Sequence, residues 1–232
     1  MGTILVTGGT GDLGRDLLPL LPGALILSRK TGRIGDLSTG AGLKEALIGV
    51  DTVIHLADGK DQAAAARHLV EAATDVKHIV MISIAGIDDI PFGYYVAKRA
   101  AEQVIIDSGI PYTILRTTQF HQFAEMIFDS QRFSPVLLSP KLRIQPIDTR
   151  VVAAELAALA TSNPAGRVAD LGGPEVFTGA EIAAVMKKAR GWRRPVLNFS
   201  LFGKAWAGYA AGHNLVPGNR SGGRSYAEYL AS

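Results

Sequence analysis

A glycine-dense turn near the start of the chain constrains the fold more than any other feature. Ile4-Leu5-Val6 is a short apolar run that enters Thr7-Gly8-Gly9-Thr10-Gly11, and Asp12-Leu13 then opens a helical pattern through Asp16-Leu17-Leu18. Gly8, Gly11 and Gly14 recur at three-residue spacing, and Gly9, Gly11 and Gly14 also fit G-x-G-x-x-G. Such a turn needs glycine where the backbone takes unusual angles and where the main chain must approach a pyrophosphate closely. The helix behind it aims unpaired N–H groups and the positive end of its dipole at that anion. Strand, glycine turn and helix in this order predict a dinucleotide site, with Gly8, Thr10, Gly11, Asp12, Leu13 and Gly14 on its phosphate side.

Strand-like and helix-like patterns then alternate. Strands are expected at 4–7, 24–28, 52–56, 78–83 and 112–116, and helices at 13–21, 43–47, 62–73 and 95–107. This alternation predicts an α/β fold, a Rossmann-type doubly wound parallel sheet whose ligands sit beyond the C-terminal strand ends. Gly8, Arg29, His55-Leu56-Ala57, Ser83 and Arg116-Thr117 should gather at that rim. Between Arg29 and Gly35-Asp36-Leu37 there is little room for a crossover helix, which usually takes a dozen or more residues with its connections. Either the third strand is very short or the connection is a bare loop.

Past Thr117 the regular alternation ends. Helices are expected at 120–129, 149–161, 179–188 with Thr178 as N-cap, and 226–230, and short strands at 136–138, 144–147, 168–171 and 196–199. The glycine-rich segment 204–225 is expected to be mobile. We read residues 1–232 as one domain, with a core over about 1–118 and a small C-terminal substrate-binding annex over about 119–232.

Apolar residues make up 47% of the chain and charged residues 19%, which excludes a disordered protein. The formal charge is only +3, with basic residues scattered, so no nucleic-acid partner is expected; Trp192-Arg193-Arg194 is read as a solvated turn. The absence of cysteine removes disulfides and thiolate chemistry, and the five histidines lack metal-ligand spacing, so no metal is expected. No apolar run approaches the ~20 residues of a membrane helix. Met1 leads straight into the first apolar run, leaving no room for a signal peptide, and a soluble, cytoplasmic protein is expected.

An NAD-selective site of this kind places an acidic residue near the end of the second strand. Here that position reads Ser28-Arg29-Lys30. A guanidinium suits a 2′-phosphate, so NADP(H) is favoured over NAD(H). Asp36, followed by Leu37, is a candidate for the adenine side and equally an ordinary turn former. Tyr94 and Lys98 stand at i, i+4 and share one helix face. A phenol is a poor acid–base group at neutral pH, and a neighbouring ammonium lowers its pKa. With Ser83 eleven residues upstream, the three make a proton-relay set for moving a hydride to or from a carbonyl: the serine orients, the tyrosine donates, the lysine tunes. Tyr95 competes with Tyr94 for this role but lacks the i, i+4 relation.

The segments TGGTGDLG, DTVIHLA, HIVMISIAG, YYVAKRAAE, PYTILRTTQFHQF and LGGPEVFTGAEIA resemble the short-chain dehydrogenase/reductase superfamily, with the nearest likeness to its atypical, NmrA-like branch of NAD(P)-binding proteins. The resemblance covers nearly the whole length. It implies a cofactor lying over Gly8, Gly11 and Gly14, contacts from Arg29, Asp36, the Leu56-Ala57 backbone and Lys98, and substrate binding by the segments after the sixth strand. Gln119, Phe120, His121 and Phe123 are the substrate candidates, with Met126, Phe128, Phe92, Trp206 and Tyr209 as further wall residues. The expected activity is an NADP(H)-preferring oxidoreductase acting on a small or medium carbonyl, enone or quinone. The alternative, also found in this branch, is a non-catalytic NAD(P)H-binding redox sensor or accessory protein.

Overall fold

The computed structural model describes residues 2–231. In chain order the elements are β1 (Ile4–Thr7), α1 (Asp12–Leu17), β2 (Leu25–Ser28), β3 (Arg33–Ile34), α2 (Leu43–Ala46), β4 (Thr52–His55), α3 (Gln62–Ala72), β5 (His78–Ile84), α4 (Gly93–Asp107) and β6 (Tyr112–Thr117). They continue with α5 (His121–Asp129), β7 (Leu137–Pro140), β8 (Arg143–Ile144), α6 (Thr149–Ala160), β9 (Gly166–Arg167), β10 (Phe177–Thr178), α7 (Gly179–Arg190), β11 (Val196–Phe199), α8 (Lys204–Ala211) and α9 (Tyr226–Leu230).

The chain divides into two compact units. The first runs through Ser83 and adds Gly93–Arg116 and Val152–Ala169; the second takes Ile84–Phe92, Thr117–Val151 and the chain from Asp170 on. The expected boundary near residue 118 is therefore crossed twice: the loop after β5 belongs to the second unit, and most of α6 returns to the first.

The first unit is built on a seven-stranded sheet in the order β3-β2-β1-β4-β5-β6-β9. β1 pairs in parallel with both β2 and β4, and β4 in parallel with β5. This is the doubly wound order, in which chain direction across the sheet switches between β1 and β4. Every residue of β1 and β4 is buried, the pattern of strands covered on both faces. Leu5, Val53, Ile79, Met81, Leu69, Ala101, Ile105 and Ile114 form the core beneath α3 and α4.

Helix α1 is shorter than its apolar pattern predicts. Pro19 has no N–H to donate and its ring crowds the carbonyl of Arg15, so the helix tightens after Leu17 into a single 3-10 turn over Leu18–Leu20. The open question after Arg29 resolves as both alternatives together: the connection is a bare four-residue loop and β3 is two residues long. The Ser28 hydroxyl accepts the N–H groups of Lys30 (3.2 Å) and Thr31 (2.8 Å) and donates to the Thr31 carbonyl (2.6 Å). Gly32 adopts φ +73°, and a Cβ there would stand 2.6 Å from the Ile26 carbonyl oxygen. The chain thus returns beside β2 in parallel register, Leu27 opposite Arg33.

The second unit holds two small sheets, β7 with β11 in parallel and β8 with β10 antiparallel. Thr178 caps α7 in a capping box with Glu181, and Gly191 ends the helix in the left-handed conformation. Two expectations fail here. Segment 204–225 is not loose: it carries α8, a left-handed Gly212 cap and a bridge between Gly172 and Arg220. Nor is Arg194 solvated, since its Nη1 donates to the carbonyls of Gln131, Arg132 and Ser134 and its guanidinium lies 4.1 Å over the Trp192 ring. Among the described residues no helix is long and apolar enough to cross a membrane.

Candidate active site

The turn after β1 is closed so tightly that two of its glycines, Gly8 and Gly14, have no space for a side chain. Gly8 has φ +72°, and a Cβ there would lie 2.8 Å from the Ala57 nitrogen and 2.9 Å from the Leu56 carbonyl carbon. A Cβ on Gly14 would lie 2.5 Å from the Gly9 Cα. The Gly11 N–H donates back to the Gly8 carbonyl (3.1 Å), and Gly11 enters α1 in extended conformation without a side-chain cap. Bare backbone from the turn, from Leu56-Ala57 and from the first turn of α1 is thereby brought together, with Thr10 and Asp12 exposed at the surface and Leu13 anchoring the helix in the core. Gly8 and Gly14 leave no space for a side chain, so main chain lines the turn at these positions, which is what close approach to a pyrophosphate requires.

Arg29 is exposed in the loop after β2. Asp36 accepts both the N–H (2.8 Å) and the hydroxyl (2.7 Å) of Ser38, which hold its carboxyl below the usual range, with the Arg29 charge helping. The neighbouring Leu37 carbonyl is held by His68 Nδ1 at 2.8 Å.

At the C-terminal end of β4 the Thr7 hydroxyl ties two strands, accepting from the Ala57 N–H (3.2 Å) and meeting His55 Nδ1 (2.9 Å). Burial, reinforced by the Lys98 ammonium and opposed by Asp58, pushes the His55 imidazole down to about 4, so it is neutral near pH 7. Ser83, near the end of β5, is 2% exposed, and its hydroxyl has no hydrogen-bond partner among the described residues.

The two tyrosines at the start of α4 differ in their surroundings. Tyr95 packs into the core at 3% exposure, while Tyr94 is 41% exposed. Lys98 lies one turn on, its side chain 5% exposed. Between them stands a residue that sequence reasoning missed. Asp58, in the loop after β4, accepts the Tyr94 hydroxyl on Oδ2 at 2.6 Å and the Lys98 ammonium on Oδ1 at 2.6 Å. The expectation that Lys98 lowers the phenol's pKa is not met in this state. Partial burial, then the hydrogen bond and charge of Asp58, push the Tyr94 phenol up, and only a contact with Gln62 opposes them. Asp58 directly follows the rim segment His55-Leu56-Ala57, and an acidic residue at that strand end was the one available signal.

A further turn along α4, Glu102 receives Arg116 of β6 in a bidentate pair, Nε to Oε1 at 2.9 Å and Nη2 to Oε2 at 2.6 Å, with side chains only 4% and 6% exposed. It fixes the lysine-bearing helix against the sheet.

The substrate candidates belong to the second unit and are divided in their surroundings. Phe123 is exposed and Phe120 half-buried as the residue preceding α5. Gln119 is buried and its Oε1 accepts from Asn214 Nδ2 (3.2 Å). His121 is 1% exposed: Nε2 meets the Arg224 carbonyl at 3.1 Å, and its ring lies 5.0 and 5.7 Å from those of Tyr229 and Tyr226. Burial lowers its pKa. Phe128 is buried and Met126 exposed, and Phe92, Trp206 and Tyr209 form an aromatic series with centroids 6.2 and 5.9 Å apart. Among the described residues no group of three histidine, cysteine or acidic side chains could hold a metal ion.

A family of NAD(P)H-binding domains matches residues 27–129. A (4-alkanoyl-5-oxo-2,5-dihydrofuran-3-yl)methyl phosphate reductase of Streptomyces griseus is 30% identical over 215 residues, covering 81% of this chain and 74% of the relative. An NAD(P)H azoreductase of Xenophilus azovorans is 30% identical over 220 residues, covering 83% of this chain and 75% of the relative. In fold, the chain is similar to the NADPH-dependent quinone oxidoreductase of Escherichia coli in complex with NADPH, at a TM-score of 0.79 and 21% identity over 99% of both chains. At this identity and coverage of the two curated reductases, the chain belongs to the NAD(P)H-binding family of NAD(P)-dependent oxidoreductases.

Proposed function

We propose that the protein is an NADPH-preferring reductase of small or medium, partly apolar acceptors with a conjugated carbonyl, enone or quinone group, and that Tyr94, Lys98 and Ser83 handle the proton. The observation that supports this reading is a tyrosine and a buried lysine one helical turn apart on α4, in a unit that also holds, near the end of β5, a buried Ser83 hydroxyl with no partner among the described residues. A buried hydroxyl without a partner is costly unless a ligand completes it, and a substrate oxygen is such a ligand. The two curated relatives are named as reductases of an acyl-oxo-dihydrofuran phosphate and of azo compounds, both electron-poor acceptors.

Bound nicotinamide supplies the hydride. Gly8, Thr10, Gly11, Asp12, Leu13 and Gly14 hold the pyrophosphate through main-chain N–H groups, with the Leu56-Ala57 backbone closing the cradle. Arg29, with Ser28 beside it, receives the 2′-phosphate, and Asp36-Leu37 flank the adenine. Lys98 offers ammonium hydrogens to ribose hydroxyls. Ser83 donates to the substrate oxygen; Tyr94 gives that oxygen its proton as the acceptor carbon takes the hydride, and the phenolate regains a proton from solvent. Of the substrate candidates, Phe123 is exposed and Phe120 half-buried, whereas the His121 ring is enclosed within its own unit.

Replacing Tyr94 with Phe is the direct test. NADPH oxidation with a panel of quinones and enones should fall at least 100-fold, the usual worth of a positioned general acid, while NADPH affinity measured by fluorescence stays within about twofold. Full activity in Tyr94→Phe would refute the role. NADPH binding with no turnover of any acceptor by the unaltered protein would favour the sensor alternative.

A further inference from the structure

Asp58 is a carboxylate with two oxygens and two partners, the hydroxyl of Tyr94 and the ammonium of Lys98, each at 2.6 Å. Both ends of its loop are pinned. Ala57 is held to Thr7 through its N–H and packs on Gly8, and Asp61 caps α3 by accepting the Ala64 N–H at 2.8 Å. Only Asp58, Gly59 and Lys60 lie between these anchors, so the chain can deliver the carboxylate only to a small region. Its side chain is 54% exposed whereas that of Lys98 is 5% exposed. An ammonium so deeply set requires an acceptor within reach, because an uncompensated buried charge is strongly destabilising.

We propose that Asp58 is a positioning residue of the reductase site, a single side chain that sets the Tyr94 hydroxyl and the Lys98 ammonium in fixed relation before substrate arrives. The inference rests on the Tyr94–Lys98 reading above and adds a residue to it. The carboxylate accepts the phenol's hydrogen, so the phenol enters the reaction in its protonated form, the form that a reduction consumes. It also offsets much of the ammonium's pull on the phenol. Two of the three ammonium hydrogens remain available for ribose hydroxyls. The other groups facing this set are few: Gln62 at the start of α3 contacts the phenol, Tyr95 adjoins it on α4, and His55 on β4 is neutral beside Lys98. The negative charge of Asp58 therefore dominates the phenol's surroundings, in line with the upward displacement of its pKa.

The test uses the full-length protein without cofactor, so that it does not depend on turnover. Ultraviolet difference titration follows tyrosinate formation in the unaltered protein, Asp58→Asn, Tyr94→Phe and the double variant; the chain has six tyrosines, and the Tyr94→Phe curve isolates the one of interest. In Asp58→Asn one tyrosine should ionise at a pH lower by more than one unit, a tenfold change in proton affinity, and that component should vanish in the double variant. Superimposable curves for Asp58→Asn and the unaltered protein, with thermal melts that also coincide, would overturn the proposal. Should the asparagine variant melt early, Asp58→Ser at the same exposed position provides the same comparison. A second measurement links the hold to chemistry: the alkaline limb of the rate profile for NADPH oxidation by 1,4-benzoquinone should move to lower pH in Asp58→Asn. A shifted tyrosinate titration with an unmoved rate profile would leave Asp58's grip on the phenol standing and refute the catalytic role of Tyr94.

Discussion

Breaking the buried Glu102–Arg116 pair should strongly destabilise the first unit. Glu102→Gln keeps the shape of the side chain, exchanges one oxygen for an amide nitrogen and removes the charge. The guanidinium left behind is 6% exposed and makes its bidentate contact at 2.9 and 2.6 Å with the group being altered. Removing one member of a buried ion pair costs about 3–5 kcal/mol, because the desolvation already suffered by the survivor is no longer offset. For a chain of this length each kcal/mol lowers Tm by about 2–4 °C, so the variant should melt about 6–20 °C early. Thermal denaturation followed by circular dichroism, with a urea series to extract the free energy, measures this directly. The double variant Glu102→Leu with Arg116→Met removes both desolvation costs and should recover most of the loss, since apolar replacements of buried pairs are often neutral or better. The reasoning fails if Glu102→Gln lies within about 1 kcal/mol of the unaltered protein, or if the double variant is as unstable as the single one.

Two further outcomes follow from the same structure. Arg29→Ala should weaken NADPH binding about 10–100-fold, the worth of one hydrogen bond to a charged group at about 1.5–3 kcal/mol, and leave NADH unchanged; equal losses for the two nucleotides in parallel fluorescence titrations would remove Arg29 from the 2′-phosphate. His55, pushed down to about 4 by burial first and Lys98 second, binds a proton less readily folded than unfolded. Its contribution to stability is therefore complete above the unfolded value near 6.5, declines as pH falls through that value and levels off below about 4, a total of about 3 kcal/mol. Urea midpoints across this range should fall less steeply in His55→Asn than in the unaltered protein, and parallel slopes would contradict a neutral buried imidazole.

What could be read from the sequence divides by the range of the signal. The glycine turn, the βα alternation and the capping box at Thr178 depend on residues within a few positions of one another, and apart from the early end of α1 the elements of the first unit that the pattern named stand within a residue or two of where it placed them. The relations that build the site are of another kind. Asp58 meets Tyr94 across 36 residues, and His121 meets the Arg224 carbonyl across 103. Neither carries a periodic signature, because a single ion pair or hydrogen bond between distant loops requires only one residue of the right type at each end. Arg194 makes the same point: its neighbours in the chain read as a polar turn, while the three carbonyls that take up Nη1 lie about 60 residues earlier.

Glycine was a local signal that misled, and the reason is physical. In segment 204–225 an abundance of glycine suggested looseness, since glycine loses the most backbone entropy on ordering. The structure uses three of them, Gly208, Gly212 and Gly223, at close approaches instead. A Cβ on Gly208 would stand 2.8 Å from Ile90, one on Gly223 2.5 Å from Val151, and Gly86 (φ +77°) faces the His213 carbonyl with no space for any side chain. The same intolerance at Gly8 and Gly14 shapes the turn after β1. Composition cannot separate a glycine that frees the backbone from one that lets two backbones touch. The distinguishing fact is what stands opposite: distant main chain at Gly8 and Gly86, a distant side chain at Gly208 and Gly223. A Gly208→Ala variant should accordingly destabilise the second unit rather than stiffen it.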